Sequence, residues 1–340
     1  MSSRPESAPD QPLLATRAAG GRGRAARWLP WAVGGAALAA VVVAATHFSE
    51  ERAFARLLEQ ADPWWLVAAL ALQGATYLAQ SQIWRDVTAA GASRLPVRTT
   101  YGLTLAKLFV DQALPSAGVS GTAVLAHGLE RAGVAESVVM AGVVVSTTAF
   151  YAANVLALAV ALVIAASAGH ASAIVLAASA LFIGFGVALA VALLLLAGRR
   201  HGRAVGFAAR VPVLGRLVGL VRAADPRLAR SPRLLARAAA WQLAIVALDA
   251  ATLWTFIRSL GHTASPGGVF ASFMISTVAR TVSPIPAGLG VFEAASVVTL
   301  RLIGVPLAVA LSATLLFHGC TFWLPMVPGL LVARRLRRPT

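Results

Sequence analysis

The stretch that decides the fold is residues 279–293, which read ARTVSPIPAGLGVFE. It places two prolines, two glycines and charges of both signs inside a long apolar region near the C-terminus. Proline ends a helix at or just before itself, and glycine permits a tight reversal. The stretch therefore predicts two short helices that meet at a break, with Arg280 before the break and Glu293 after it.

An earlier stretch has the same design. Residues 107–121 read KLFVDQALPSAGVSG, with Lys107 and Asp111 before Pro115 and glycines after it. Two apolar segments broken by Gly or Pro, at matching places in two halves of a chain, indicate a transporter built from inverted repeats.

Composition places the chain in a membrane. Of its 340 residues 58% are hydrophobic, and the mean hydropathy is +0.76. Several apolar runs reach the roughly 20 residues that a helix needs to cross a bilayer. A transmembrane barrel would show alternating polar and apolar residues instead of continuous apolar runs. We therefore predict an all-α polytopic membrane protein.

The net charge of +16 does not indicate nucleic-acid binding. The arginines cluster between and beside the apolar runs, as the positive-inside rule predicts, and no basic stripe interleaved with aromatics lies outside these runs. Cys320 is the only cysteine, which excludes an intramolecular disulfide. The sequence has no P-loop and no Cys/His metal cluster, so we expect neither a cofactor nor a metal.

Charge and length predict about six complete spans. Arginine-rich segments mark the inner face of the cell membrane, so both termini are expected in the cytoplasm. Residues 1–27 and 336–340 are tails, and 28–335 form one transmembrane domain. The loop 199–237 is expected to lie on the inner leaflet as a basic amphipathic helix, or to be a solvated loop. The predicted spans are Trp28–His47, Trp64–Trp84, Ala135–Ser167, Ala171–Leu196, Ala238–Leu260 and Pro306–Ala333.

The two broken stretches then have to leave and re-enter the same face. Arg98–Arg131 starts and ends inside, and Gly268–Gly304 starts and ends outside. The arms of the first, about 17 and 13 residues, are roughly 25 and 20 Å long as helices, short of the roughly 30 Å hydrocarbon core. Two short complete crossings would satisfy the same count. If both stretches are re-entrant hairpins, the units 64–168 and 238–333 have the same order of elements in opposite orientation and form an inverted repeat.

A candidate binding site follows from this topology. Two opposed hairpins bring their tips together, and the helix N-termini after the breaks would bind an anionic headgroup, with positive charge added by Lys107 and Arg280. Alternatively, Arg280 pairs with Glu293, and Lys107 with Asp111 four residues on. The candidate residues are Lys107, Asp111, Pro115, Gly118, Ser120, Gly121, Arg280, Pro284, Pro286, Gly288, Gly290 and Glu293.

Other polar residues interrupt the spans. Asp249 and His318 are expected to form interhelical hydrogen bonds, or else to relay protons. A polar interior is predicted from Gln73, Tyr77, Gln80, Gln82 and Asn154. The pattern Gly118-x-Ser120-Gly121 is similar to that of intramembrane rhomboid proteases, with His127 or His318 as a base, but the rest of that pattern is missing.

At its two broken stretches the chain resembles the flippase-like transmembrane region of lysylphosphatidylglycerol synthases and related stand-alone membrane proteins. The likeness rests on residues 114–121 and, more strongly, on Arg280 with residues 284–293; Gly304 to Pro306 and the turn Pro325 to Gly329 match the family's ending. It covers roughly residues 28–335.

The resemblance implies translocation of aminoacylated or isoprenoid-linked lipids between leaflets. We see no soluble aminoacyl-transfer domain, so we expect no enzyme activity and a lipid made by another protein. The expected partners are membrane lipids with anionic headgroups. The alternative is a non-transporting accessory or scaffold subunit of an envelope lipid or glycan synthesis enzyme.

Overall fold

The computed structural model describes residues 61–113, 119–169, 173–197, 221–283 and 290–336. These residues form helices and no strands. The predicted N-terminal tail, the span Trp28–His47 and residues 199–220 of the basic loop lie outside them. The helices are α1 Pro63–Ala90, α2 Val97–Ala113, α3 Val119–Arg131, α4 Glu136–Ser167, α5 Ala173–Leu196, α6 Pro226–Ala229, α7 Pro232–Ser259, α8 Pro266–Val282, α9 Val291–Leu302, α10 Leu307–Trp323 and α11 Met326–Leu336.

Helices α1 and α7 form an antiparallel pair of 28 residues each. At one end the Asp62 N–H donates to the Ser259 carbonyl at 3.0 Å, and at the other Arg237 pairs with Asp86 at 2.7 Å. The predicted span Ala238–Leu260 corresponds to α7, which begins earlier in the chain than the span. The helix starts at Pro232 because Ser231 caps it and proline fits the first turn.

Each broken stretch forms two short antiparallel helices. In the first pair Gly128 of α3 faces Leu103 of α2, and in the second Ser272 of α8 hydrogen-bonds Thr299 of α9 at 2.6 Å. The arms have 17 and 13 residues in the first pair and 17 and 12 in the second. At 1.5 Å per residue each arm is about 18–26 Å long, so the predicted short arms are confirmed.

The final apolar run is not one helix. Pro325 divides the predicted span Pro306–Ala333 into α10 and α11. Proline has no N–H to donate four residues back, so the carbonyl of Thr321 loses its helical partner. Gly329 of α11 lies against the backbone of Leu105 in α2, which ties the C-terminal helix to the first hairpin.

Of the described residues, four segments are long and apolar enough to cross a membrane: Glu136–Ser167, Ala173–Leu196, Pro232–Ser259 and Leu307–Arg334. Helix α1 is as long as α7 but carries a buried polar face that includes Gln73, Thr76 and Tyr77. A crossing by α1 stays a prediction. That polar face is directed into the protein, where it contributes to the site below.

Three aromatic rings hold the second hairpin against α10. Phe273 of α8, Phe292 of α9 and Phe317 of α10 have ring centroids 5.7 to 5.9 Å apart. All three side chains are buried, so van der Waals packing of the rings holds these helices together. This packing places the start of α9 beside His318, the residue after Phe317.

Candidate functional site

Side chains from both breaks contact one turn of α10, residues 318–321. Glu293, in the first turn of α9, contacts His318 Nδ1 through Oε1 at 2.6 Å. Gln112, near the end of α2, donates through Nε2 to the Thr321 carbonyl at 3.0 Å. Tyr77 of α1 is within 3.4 Å of the same carbonyl. The ends of the two hairpins are thus linked through the part of α10 that precedes its proline break.

At the first break Asp111 has two contacts. It pairs with Lys107 at 2.6 Å, and its Oδ1 accepts the Gly121 N–H at 3.0 Å in the first turn of α3. A Cβ at position 121 would collide with the Asp111 carboxylate and the Lys107 carbonyl, so only glycine fits. The structure therefore shows the predicted Lys107–Asp111 pair, which also caps α3.

At the second break Glu293 occupies the corresponding place. Gly290 precedes α9 with φ +81°, a left-handed conformation that glycine adopts without strain. The N–H groups of Gly290 and of Glu293 itself face the Glu293 carboxylate. The Glu293 carboxylate contacts the His318 ring, and no ion pair with Arg280 is present within 4.0 Å among the described residues, so the predicted pairing of Arg280 with Glu293 is not found. Carboxylates of the chain thus lie at N–H groups of both helix starts.

Arg280 lies in the last turn of α8 and is exposed. Its guanidinium is 5.6 Å from the ring centroid of Phe292, a cation–π distance. The carboxylates of Asp249 and Glu293 are its charged neighbours, yet it has no ion pair within 4.0 Å in the described part of the chain. Of the two cations at the breaks, Lys107 is paired with a carboxylate and Arg280 is not, among the described residues.

Asp249 of α7 faces the polar side of α1. The antiparallel register of the two helices places it opposite Gln73, and the Thr76 hydroxyl and Gln73 amide lie beside its carboxylate. Oδ1 of this carboxylate has no hydrogen-bond partner in the described residues, so the interhelical hydrogen bond expected of Asp249 stays a prediction. Its charged neighbour is Arg280.

The remaining predicted residues have varied placements. Ser120 is in the first turn of α3. Asn154 donates to the Phe150 carbonyl of its own helix at 2.9 Å, and Gln82 accepts from Arg85 at 2.7 Å, so neither bonds between helices there. Outside the described residues lie Pro115, Gly118, Pro284, Pro286 and Gly288.

Two groups at the site, Gln112 and the Thr321 carbonyl, were not predicted from the sequence. The signal for the carbonyl was present, because Pro325 follows four residues later and cannot donate to it. Gln112 had no comparable signal. No group of three or more His, Cys, Asp or Glu side chains in the described ranges is placed to hold a metal ion.

Comparison with known families gives one match. The family described as the lysylphosphatidylglycerol synthase TM region matches residues 31–329. The chain belongs to this family. Membership in the lysylphosphatidylglycerol synthase TM family, together with the apolar helices, identifies a membrane-embedded, multi-pass protein with a membrane lipid-related function. No curated protein matches the chain significantly.

Proposed function

We propose that the protein translocates a lipid between membrane leaflets and holds an anionic headgroup at Arg280. The observation that carries the proposal is an exposed guanidinium without an ion pair, at the end of a short helix in an apolar region. A charge in a membrane segment is costly and marks a functional site by default. The substrate class is an anionic, aminoacylated or isoprenoid-phosphate lipid.

The contacts at the breaks define the role of each charge. The Asp111 carboxylate accepts the Gly121 N–H at the start of α3, and the Glu293 carboxylate faces N–H groups at the start of α9. Because these N–H groups are occupied in this conformation, Arg280 contributes more than they do to binding a phosphate. Lys107 is paired with Asp111 and binds the headgroup only if that pair opens.

We further propose that the chain is an inverted repeat, an arrangement that would permit alternating access. The helices of the first unit have 28, 17, 13 and 32 residues; those of the second have 28, 17, 12 and then 17 and 11 across the proline break. The first helices of the two units are antiparallel. We propose that the short pairs are re-entrant hairpins, and that they rock against the long helices to expose the site on alternate sides.

A leaflet-transfer assay with the reconstituted protein tests the function. Vesicles carry fluorescent phosphatidylglycerol, lysylphosphatidylglycerol or an isoprenoid phosphate, and a membrane-impermeant quencher reports the outer leaflet. We expect transfer above protein-free vesicles for at least one of these lipids. Arg280→Gln should slow it about tenfold or more, because a hydrogen bond to a charged group is worth about 1.5–3 kcal/mol.

The matched control is Arg301→Gln, which removes an exposed arginine from the other arm of the same hairpin. It should leave transfer unchanged. Transfer at the wild-type rate by folded Arg280→Gln would refute the headgroup role. If the wild-type protein moves none of the lipids but co-purifies with a lipid-synthesising enzyme, the accessory function replaces transport.

A further inference from the structure

Four side-chain oxygens around the breaks are buried without a hydrogen-bond donor in the described part of the chain. They are Gln73 Oε1, Gln112 Oε1, Asp249 Oδ1 and Glu293 Oε2. Burying an acceptor without a partner is costly, and native structures contain few such atoms. A ligand that carries positive charge would satisfy such acceptors.

Two of these oxygens lie at the same level of the α1–α7 pair. The contacts Asp62–Ser259 and Asp86–Arg237 fix the register of the helices, and this register places Gln73 opposite Asp249. Gln73 is 2% exposed, so solvent does not reach its side-chain oxygen, which has no hydrogen-bond donor in the described residues. The Thr76 hydroxyl, one turn along α1 and also buried, lies beside the Asp249 carboxylate.

The geometry points to a site for an alkali-metal cation, Na⁺ in the first instance, formed by Gln73, Thr76 and Asp249. All three offer oxygen, which hard cations prefer. A single carboxylate among neutral oxygens balances one positive charge, whereas divalent ions generally take more carboxylates. Na⁺ sites next to broken helices are common in transporters built from inverted repeats.

Cation binding at this site affects Arg280, and this part of the inference rests on the proposed function. Asp249 and Glu293 are the carboxylates near Arg280. A cation bound to Asp249 neutralises that carboxylate and weakens its attraction for the guanidinium. Arg280 then binds the headgroup phosphate more readily, so Na⁺ binding favours lipid binding.

Thermal unfolding of the purified full-length protein in detergent, without added lipid, tests the cation site. NaCl, KCl or LiCl replaces N-methyl-D-glucamine chloride at constant ionic strength. Because a ligand stabilises the state that binds it, we expect NaCl to raise the midpoint by about 2–4 °C. Gln73→Leu and Asp249→Asn should each abolish this rise in the midpoint. Two variants are used so that the test still stands if one of them does not fold.

Asp62→Asn is the matched control, because asparagine caps a helix as well as aspartate does. It should keep the full Na⁺ response. The cation site is refuted if no alkali-metal salt stabilises the wild type. It is also refuted if both folded site variants respond like the wild type.

The cation site and the proposed lipid translocation can be refuted independently of each other. The unfolding assay contains no transport step, so a protein that binds Na⁺ but moves no lipid refutes only the proposed function. Leaflet transfer with Na⁺ on both sides, compared with N-methyl-D-glucamine, tests the link to Arg280. A wild-type transfer rate that is the same in both salts refutes the link, and a faster rate in Na⁺ supports it.

Discussion

The contacts of Asp111 predict different losses of stability for two substitutions. The carboxylate caps α3 through the Gly121 N–H and pairs with Lys107, and the two charged side chains are only 18% and 20% exposed. Loss of a cap costs about 1 kcal/mol. An unpaired ammonium costs about 1–2 kcal/mol here, less than the 3–5 kcal/mol of a fully buried pair, because solvent reaches both groups.

Asp111→Ala removes both contacts and should cost about 2–3 kcal/mol. Asp111→Asn keeps an oxygen that accepts the Gly121 N–H, and should cost about 1–2 kcal/mol. Thermal unfolding in detergent should show midpoints lower by about 5–8 °C for alanine and about 2–5 °C for asparagine. Lys107→Met combined with Asp111→Asn should cost less than the sum of the single changes, since no charge is then left unpaired.

Equal losses for alanine and asparagine would show that Asp111 does not cap α3. Strict additivity of Lys107→Met and Asp111→Asn would show that the two charges are not coupled. Either result would refute the reasoning from the corresponding contact, and the two results are independent. Circular dichroism of each variant before heating confirms that the helical fold is retained.

Three further substitutions test the breaks. Gly121→Ala should lower the unfolding midpoint by at least about 4 °C, because the new Cβ would collide with the Asp111 carboxylate. Gly74→Ala is the control and should be neutral or slightly stabilising, because there is open space around Gly74. Equal effects of the two substitutions would contradict this. Pro325→Ala supplies the helical N–H, four residues on, that position 325 cannot donate to the Thr321 carbonyl, so hydrogen exchange across the α10–α11 junction should slow, and unchanged exchange would argue against a proline-made break. Glu293→Gln should cost about 1–3 kcal/mol by weakening the contact with the histidine, and an unchanged midpoint would count against that contact.

Much of the fold was predictable because its signals are local. Proline and glycine at the two broken stretches end helices by sterics and missing N–H groups, so the short arms could be derived from the sequence. Where a helix begins outside its span was harder to predict. Helix α7 begins at Pro232, before the predicted span, because its cap, Ser231, lies in the arginine-rich segment assigned to a loop.

The candidate site was predictable only in its residue types. Charges and polar groups near the breaks identified Lys107, Asp111, Arg280 and Glu293, and the i,i+4 spacing predicted the Lys107–Asp111 pair. The partner of Glu293 was not predicted, because His318 is on a different helix and its position depends on the packing of Phe273, Phe292 and Phe317.

The sequence alone determined the membrane class, the helical architecture and the positions of the breaks, because hydrophobicity, proline and glycine act on neighbouring residues. Only the tertiary structure decided which charges and oxygens face one another. Asp249 meets Gln73, and Gln112 meets the Thr321 carbonyl, because distant helices pack in one register. That register follows from the packing of all the helices together, and no local pattern encodes it.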